Sequence, residues 1–353
     1  MKRWIVRVAA AFTTVLLAGC SATVTDAGTT EAQTVTITDM AGRQVTIPRA
    51  VHRILALHPI PSTLLEILAP DQIVGIDAVL SRSLNGDDAR FSAQQLSALR
   101  SLPVTGVYFR GFDAEQLIRL HPDLVITMTG DKNIDREQQR TGIPFVAVSK
   151  TPTSDYEQTI RLIGQIVGAR DRADAMAAFW SQTVAAVRAR TATVPAGGRP
   201  RVMYTGKNGD LLGIPGKDTV FGSSITAAGG NYVGEALPAG HTLAENNPVS
   251  IEQIVSWDPA VLIVASIRAR DAIVNDPRWR TVKAVQDGRV YVPPRYAGMD
   301  GLQAVLGMVW AQDVLLGSDD AEAHASLTAT MQRYYQLFYG HRLTADQLDQ
   351  LAA

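Results

Sequence analysis

One stretch of fifteen residues occurs twice in the chain. Residues 112–126 read FDAEQLIRLHPDLVI and residues 249–263 read VSIEQIVSWDPAVLI, in register at an offset of 137 positions. Both copies obey the same physics. Asp113 or Ser250 supplies a helix N-cap, and Gln116 or Gln253 stands where the N3 partner of a capping box belongs. Leu117, Ile118 and Leu120, or Ile254, Val255 and Trp257, share one face of a short helix. Pro122 or Pro259 ends that helix, and a buried strand follows. A copy in each half predicts two similar lobes with α/β layers, which suits 353 residues, about twice a domain of roughly 150. Glu115 and Glu252 fall at N2, where a carboxylate favours the helix dipole by roughly 0.3–1 kcal/mol. The same pair, one per lobe, is also what a two-fold membrane receptor would grip.

Strands and helices alternate through the rest. Residues 35–47 alternate apolar and polar about Ala41-Gly42, which predicts a β-hairpin. Residues 53–57 and 73–76 read as strands with a helix over 62–68 between them. Further buried strands are predicted around Val125 and at 145–148, 202–204, 261–264 and 290–292. That order implies parallel sheets joined by crossover helices. Asn208-Gly209 predicts a tight hairpin turn between 202–206 and 211–214. Residues 154–191 form a long helical run, with Ile160, Ile163, Val167, Met176, Phe179, Trp180, Val184 and Val187 at helical spacings. Gly164, Gly168 and Asp171 leave open whether it is one helix or two. The segments 302–316 and 321–339 also read as helices.

Lys2, Arg3 and Arg7 precede a short apolar run to Leu17, and Ala18-Gly19-Cys20 follows. A run of about ten residues is too short to span a membrane, so it reads as a signal peptide. Cys20 is the only cysteine, which excludes internal disulfides and cysteine metal clusters. Its place after two small residues resembles the lipobox of bacterial lipoproteins, where the thiol is acylated. Residues 21–34 read as a flexible tether. Basic and acidic residues number 33 and 34, so no positive field exists to draw in nucleic acid. The domain plan is signal peptide 1–19, lipidated tether 20–34, N-terminal lobe 35–152, bridging helix 153–194 and C-terminal lobe 195–353.

The repeated unit, the lipobox, the central helix and Gly229-Gly230-Asn231 together resemble the substrate-binding proteins of ABC importers for iron–siderophores, haem and cobalamin. Pro277-Arg278-Trp279, Gln286-Asp287-Gly288-Arg289-Val290-Tyr291 and Leu306-Gly307-Met308-Val309-Trp310 carry the likeness further, over roughly residues 35–340. The resemblance implies two Rossmann-like lobes bridged by a long helix, with the ligand in the cleft between them. It implies docking of Glu115 and Glu252 to arginines of a permease, an ATPase behind that permease, no intrinsic cofactor, and a lipid-anchored place in the cell envelope, in the periplasm or on the outer face of a membrane. It departs from the family's Pro-Ser-x-Thr-Glu run after the first strand: residues 58–66 read HPIPSTLLE, with the acid later and an extra proline.

Ligands of doubly wound sheets sit at the carboxyl ends of the strands. The loops expected there carry His58, Tyr108, Arg110, Tyr204, His241, Arg295 and Tyr296. The tyrosines would stack on a planar ligand or bind ferric ion as phenolates, or else lie half-buried. The arginines would pair with carboxylates or catecholates, and the histidines would ligate an iron or a chelated metal. No His pair has i, i+4 spacing and no carboxylate cluster stands in the sequence. The expected ligand is therefore a metal chelate, foremost a ferric siderophore, with haem or a corrinoid as alternatives. No Gly-x-Ser-x-Gly or His-Glu-x-x-His motif is present. An extracytoplasmic enzyme or an adhesion lipoprotein is the reading from another class.

Overall fold

The structure, a computed structural model, describes residues 33–84, 90–151, 153–237, 246–317 and 320–349. The signal segment, Cys20 and His241 lie outside the described residues. The chain enters through an antiparallel hairpin of β1 (Thr34–Thr38) and β2 (Gln44–Pro48), as the alternation predicted. It continues through β3 (Ile54–Ala56), α1 (Pro59–Leu68), β4 (Ile76–Asp77), α2 (Ala78–Ser83), α3 (Ala93–Arg100) and β5 (Val104–Thr105). The first repeat then supplies α4 (Ala114–Leu120) and β6 (Leu124–Met128), followed by α5 (Ile134–Thr141) and β7 (Phe145–Val148). Strands β3, β6 and β7 make a parallel sheet in that order, and β4 and β5 a parallel pair linked to it by an Ile54–Ile73 bridge. The strand expected over 73–76 is reduced to Ile76–Asp77. Asp77 turns at once to cap α2, its carboxylate accepting from the amides of Val79 and Leu80 at 2.9 and 3.0 Å.

The central run is two helices. α6 (Asp155–Ile166) and α7 (Arg170–Ala192) are separated at Gly168, whose φ of +76° only glycine adopts at little cost. Gly164 lets the two helices touch, since a Cβ there would lie 2.1 Å from that of Ala173. The helical spacing continued across the break because both helices bury one apolar face in a common core. The 23 residues of α7 span about 35 Å. Near its start, Arg172 donates to the carbonyls of Ile67 on α1 and Phe338 at 2.7 and 2.8 Å. Near its end, Gln312 donates to the Val187 carbonyl at 2.6 Å. The helix is thus fastened at its start to α1 and to the C-terminal helical region, and near its end to Gln312 of the second lobe.

The second lobe runs β8 (Arg201–Thr205), β9 (Gly213–Pro215), α8 (Val220–Ala227), β10 (Asn231–Tyr232) and β11 (Asn246–Pro248). The second repeat gives α9 (Ile251–Trp257) and β12 (Val261–Val264). Then follow α10 (Ile267–Asn275), α11 (Lys283–Gln286), β13 (Val290–Tyr291), α12 (Ala304–Leu316), α13 (Asp320–Tyr339) and α14 (Ala345–Asp349). Strands β10, β8, β12 and β13 form a parallel sheet in that order. The turn at Asn208-Gly209 forms with φ of +56° and +80°, but the hairpin does not: β9 leaves β8 and pairs antiparallel with β11 instead.

The two repeat copies fold alike. In each lobe the repeat strand lies parallel to the first strand of the sheet, with Ile54 opposite Leu124 and Val202 opposite Val261. Both helices stop on a left-handed non-glycine residue, His121 at φ 45° and Asp258 at φ 43°. Two-sided capping boxes do not form. Asp113 accepts from the Glu115 amide, and Gln116 is drawn away to the Val104 carbonyl at 3.0 Å. Ser250 accepts from the Gln253 amide at 3.2 Å, while its hydroxyl also engages the Glu252 carboxylate.

Candidate functional site

The carboxyl ends of the parallel strands in both lobes deliver charged side chains to one place. His58 follows β3 and caps α1, its Nδ1 accepting from the Ile60 amide at 3.2 Å. That bond fixes the neutral tautomer, with the proton on Nε2. Burial, then the charge of Lys150, lowers the His58 pKa well below the ordinary value, so the ring is neutral at neutral pH. Tyr108 and Phe109 stand over it with ring centroids at 6.0 and 5.8 Å. Their loop is held to the end of β3 by the Tyr108 amide, which donates to the Leu57 carbonyl at 3.0 Å. Pro59, Ile60 and Pro61 open α1. Two of them have no N–H and the third amide is taken by His58. Those three positions therefore offer a ligand no free amide.

From the second lobe comes Lys207. Gly206, at φ +83° and packed against Ala269, turns the chain out of β8 and points the next residue across the sheet edge. The Lys207 ammonium lies 3.0 Å from Asp300 Oδ2 and 4.5 Å from the centroid of Phe221. Asp300 is held from behind, its Oδ1 accepting from the Gly301 amide at 2.8 Å. Enclosure by protein pushes the Asp300 carboxyl up. Lys207 and then Lys150 outweigh that and hold it at about 2, so it is a carboxylate at neutral pH. Yet 55% of its side-chain surface is open. Lys150 follows β7 of the first lobe, and the fields of Lys150, Lys207 and Asp300 all reach His58. Groups from both lobes therefore share one site.

The residues expected from sequence meet this site unequally. His58 and Tyr108 are in it. Tyr204 reaches Asp300 electrostatically but is 4% exposed and stacked on Phe221 at 4.3 Å, so it offers no open face. Burial, then Asp300, pushes its phenol further up, which disfavours a phenolate. Tyr296 is buried edge-on against Tyr335, and Arg295 lies over its ring at 5.5 Å. Arg110 is exposed, 6.0 Å from Phe109. Lys150, Lys207 and Asp300 were missed. A signal existed for the lysines: only six stand beside 27 arginines, and two of the six stand two residues past the ends of β7 and β8. Among the described residues no three His, Cys, Asp or Glu side chains gather as a metal-holding group. No helix among them is long and apolar enough to cross a membrane.

Glu115 and Glu252 occupy the first turns of α4 and α9, both exposed. Glu115 has 82% of its side chain open and a loose contact of 3.9 Å to Arg119. The Ser250 hydroxyl lowers the Glu252 pKa. The two carboxyl groups are presented by matching elements of the two lobes.

The periplasmic binding protein family matches this chain over residues 54–297. The molybdate-binding protein MolA of Haemophilus influenzae is 26% identical, covering 86% of this chain and 90% of its own. The solved structure of MolA bound to molybdate superposes with a TM-score of 0.74 at 24% identity, over 88% of this chain and 99% of that one. An ABC transporter solute binding protein from Sulfurospirillum deleyianum superposes with a TM-score of 0.75 at 21% identity, over 90% and 98%. Those structures share the two-lobed fold. The chain belongs to the periplasmic binding protein family, the solute-binding components of ABC transporters.

Proposed function

We propose that this protein captures an anionic solute in the cleft between its lobes and delivers it to the permease of an ABC importer. One observation carries the reading: the charges of two of the six lysines, one from each lobe, reach a neutral histidine whose Nδ1 already accepts a backbone amide, leaving Nε2 as the donor. Two ammonium groups and an N–H donor suit the oxygens of an anion. A similar chain is named for binding molybdate, a small oxyanion. Anionic ferric chelates, the siderophores expected from the sequence, belong to the same charge class. Haem and corrinoids fit less well. A large flat ring stacks on open aromatic faces, whereas Tyr204 and Tyr296 are packed inside. The reading includes docking through Glu115 and Glu252, and anchoring by a lipid on Cys20. Family and relatives are transport proteins, and we assign no catalysis.

The test is a titration of the purified full-length protein followed by tryptophan fluorescence, for which Trp180, Trp257, Trp279 and Trp310 give signal. Molybdate, hydrogen arsenate, a ferric catecholate and cyanocobalamin, a corrinoid of zero net charge, serve as probes. Saturable one-to-one binding of at least one of the first three is expected. Binding of the corrinoid alone would overturn the anion reading.

A further inference from the structure

We propose that Asp300 is a specificity-determining residue of this cleft, admitting anions that carry a hydrogen-bond donor and disfavouring anions built of acceptors alone. The inference rests on the reading of the cleft as an anion site. A carboxylate in such a site needs an explanation, because it opposes the lysines beside it. Asp300 is not tucked away as their silent counter-ion. Its Oδ1 is fixed by the Gly301 amide, its Oδ2 by Lys207, and more than half of the side chain remains open. Each carboxylate oxygen has two lone-pair directions, so these bonds leave acceptor capacity facing the cleft. An ionised carboxylate only accepts. Opposite it, an oxygen that is also only an acceptor is repelled, whereas an O–H or N–H gains a charge-assisted hydrogen bond. Sites built to hydrogen-bond a donor reject analogues lacking it, because the acceptor is then left opposed. The ligand class is thus an anion with at least one proton or amide: a hydrogen oxyanion, or an anionic chelate bearing hydroxyl or N–H groups.

The competing account is that Asp300 merely positions Lys207. Hydrogen phosphate and sulfate separate the two, being nearly isosteric and differing in one proton near neutral pH. Hydrogen arsenate and molybdate make a second pair. Calorimetric affinities would be measured for the full-length protein and for Asp300→Asn, which keeps shape and the acceptor for Gly301. Asp300→Ser, still a competent cap, guards against a variant that fails to fold. The wild type is expected to favour the protonated member of each pair by at least about tenfold, and both variants to lower that ratio by about tenfold or more. A parallel loss of affinity for all four anions in the variants, with the ratio unchanged, would show a positioning role only and overturn the proposal. Failure of every anion to bind to wild type and variants alike would instead overturn the anion reading, and this inference with it.

Discussion

Replacing Lys150 and Lys207 together by glutamine is expected to weaken binding of the anionic ligand at least 100-fold. A hydrogen bond to a charged group contributes about 1.5–3 kcal/mol, so two of them amount to about 3–6 kcal/mol, and 1.4 kcal/mol is a factor of ten. Lys207 should matter more than Lys150. It is only 20% exposed and is 3.0 Å from Asp300, so its removal leaves that carboxylate facing the ligand with less to offset it. Calorimetry on the two single variants and the double variant checks this. A change under threefold in the double variant would place the ligand elsewhere. Melting temperature should fall little, because neither lysine belongs to the buried apolar core.

Reversing Glu115 and Glu252 to lysine is expected to abolish uptake while leaving ligand affinity within about twofold. Both lie on the first turns of exposed helices, and neither touches His58, Lys207 or Asp300 in any contact described above. A positive charge at such a helix start costs about 0.3–1 kcal/mol per site, too little to unfold the protein. At a two-fold partner, however, each reversal replaces an attraction by a repulsion. Uptake of the bound anion in cells carrying the importer, beside calorimetry on the purified variant, separates delivery from capture. Normal uptake would remove both residues from the docking role.

The large features of this fold are local and were legible. The repeat announced two equivalent lobes because its caps, its apolar face and its strand all lie within fifteen residues, and the paired helices end alike at His121 and Asp258. The hairpin at the entry is a nearest-neighbour pairing. Features set by distant partners were not legible. Pairing of β9 with β11 rather than β8 depends on a strand about thirty residues on. Gln116 bonds Val104 rather than its own cap, because a strand end is near only in the folded chain. The same holds at the site. Tyrosines in the right loops looked available, but Phe221 and Tyr335 had claimed two of them. Lys150, Lys207 and Asp300 are separated by 57 and 93 residues, and only the folded chain brings their charges to bear on one histidine. Asp300 had no pattern of its own to give it away.

The most direct measurement is a crystal structure of the full-length protein grown with hydrogen arsenate, the arsenic located by its anomalous scattering. The account predicts one strong peak between Lys150 and Lys207, within hydrogen-bonding reach of His58 Nε2. Arsenic bound at another site with this cleft empty would contradict it.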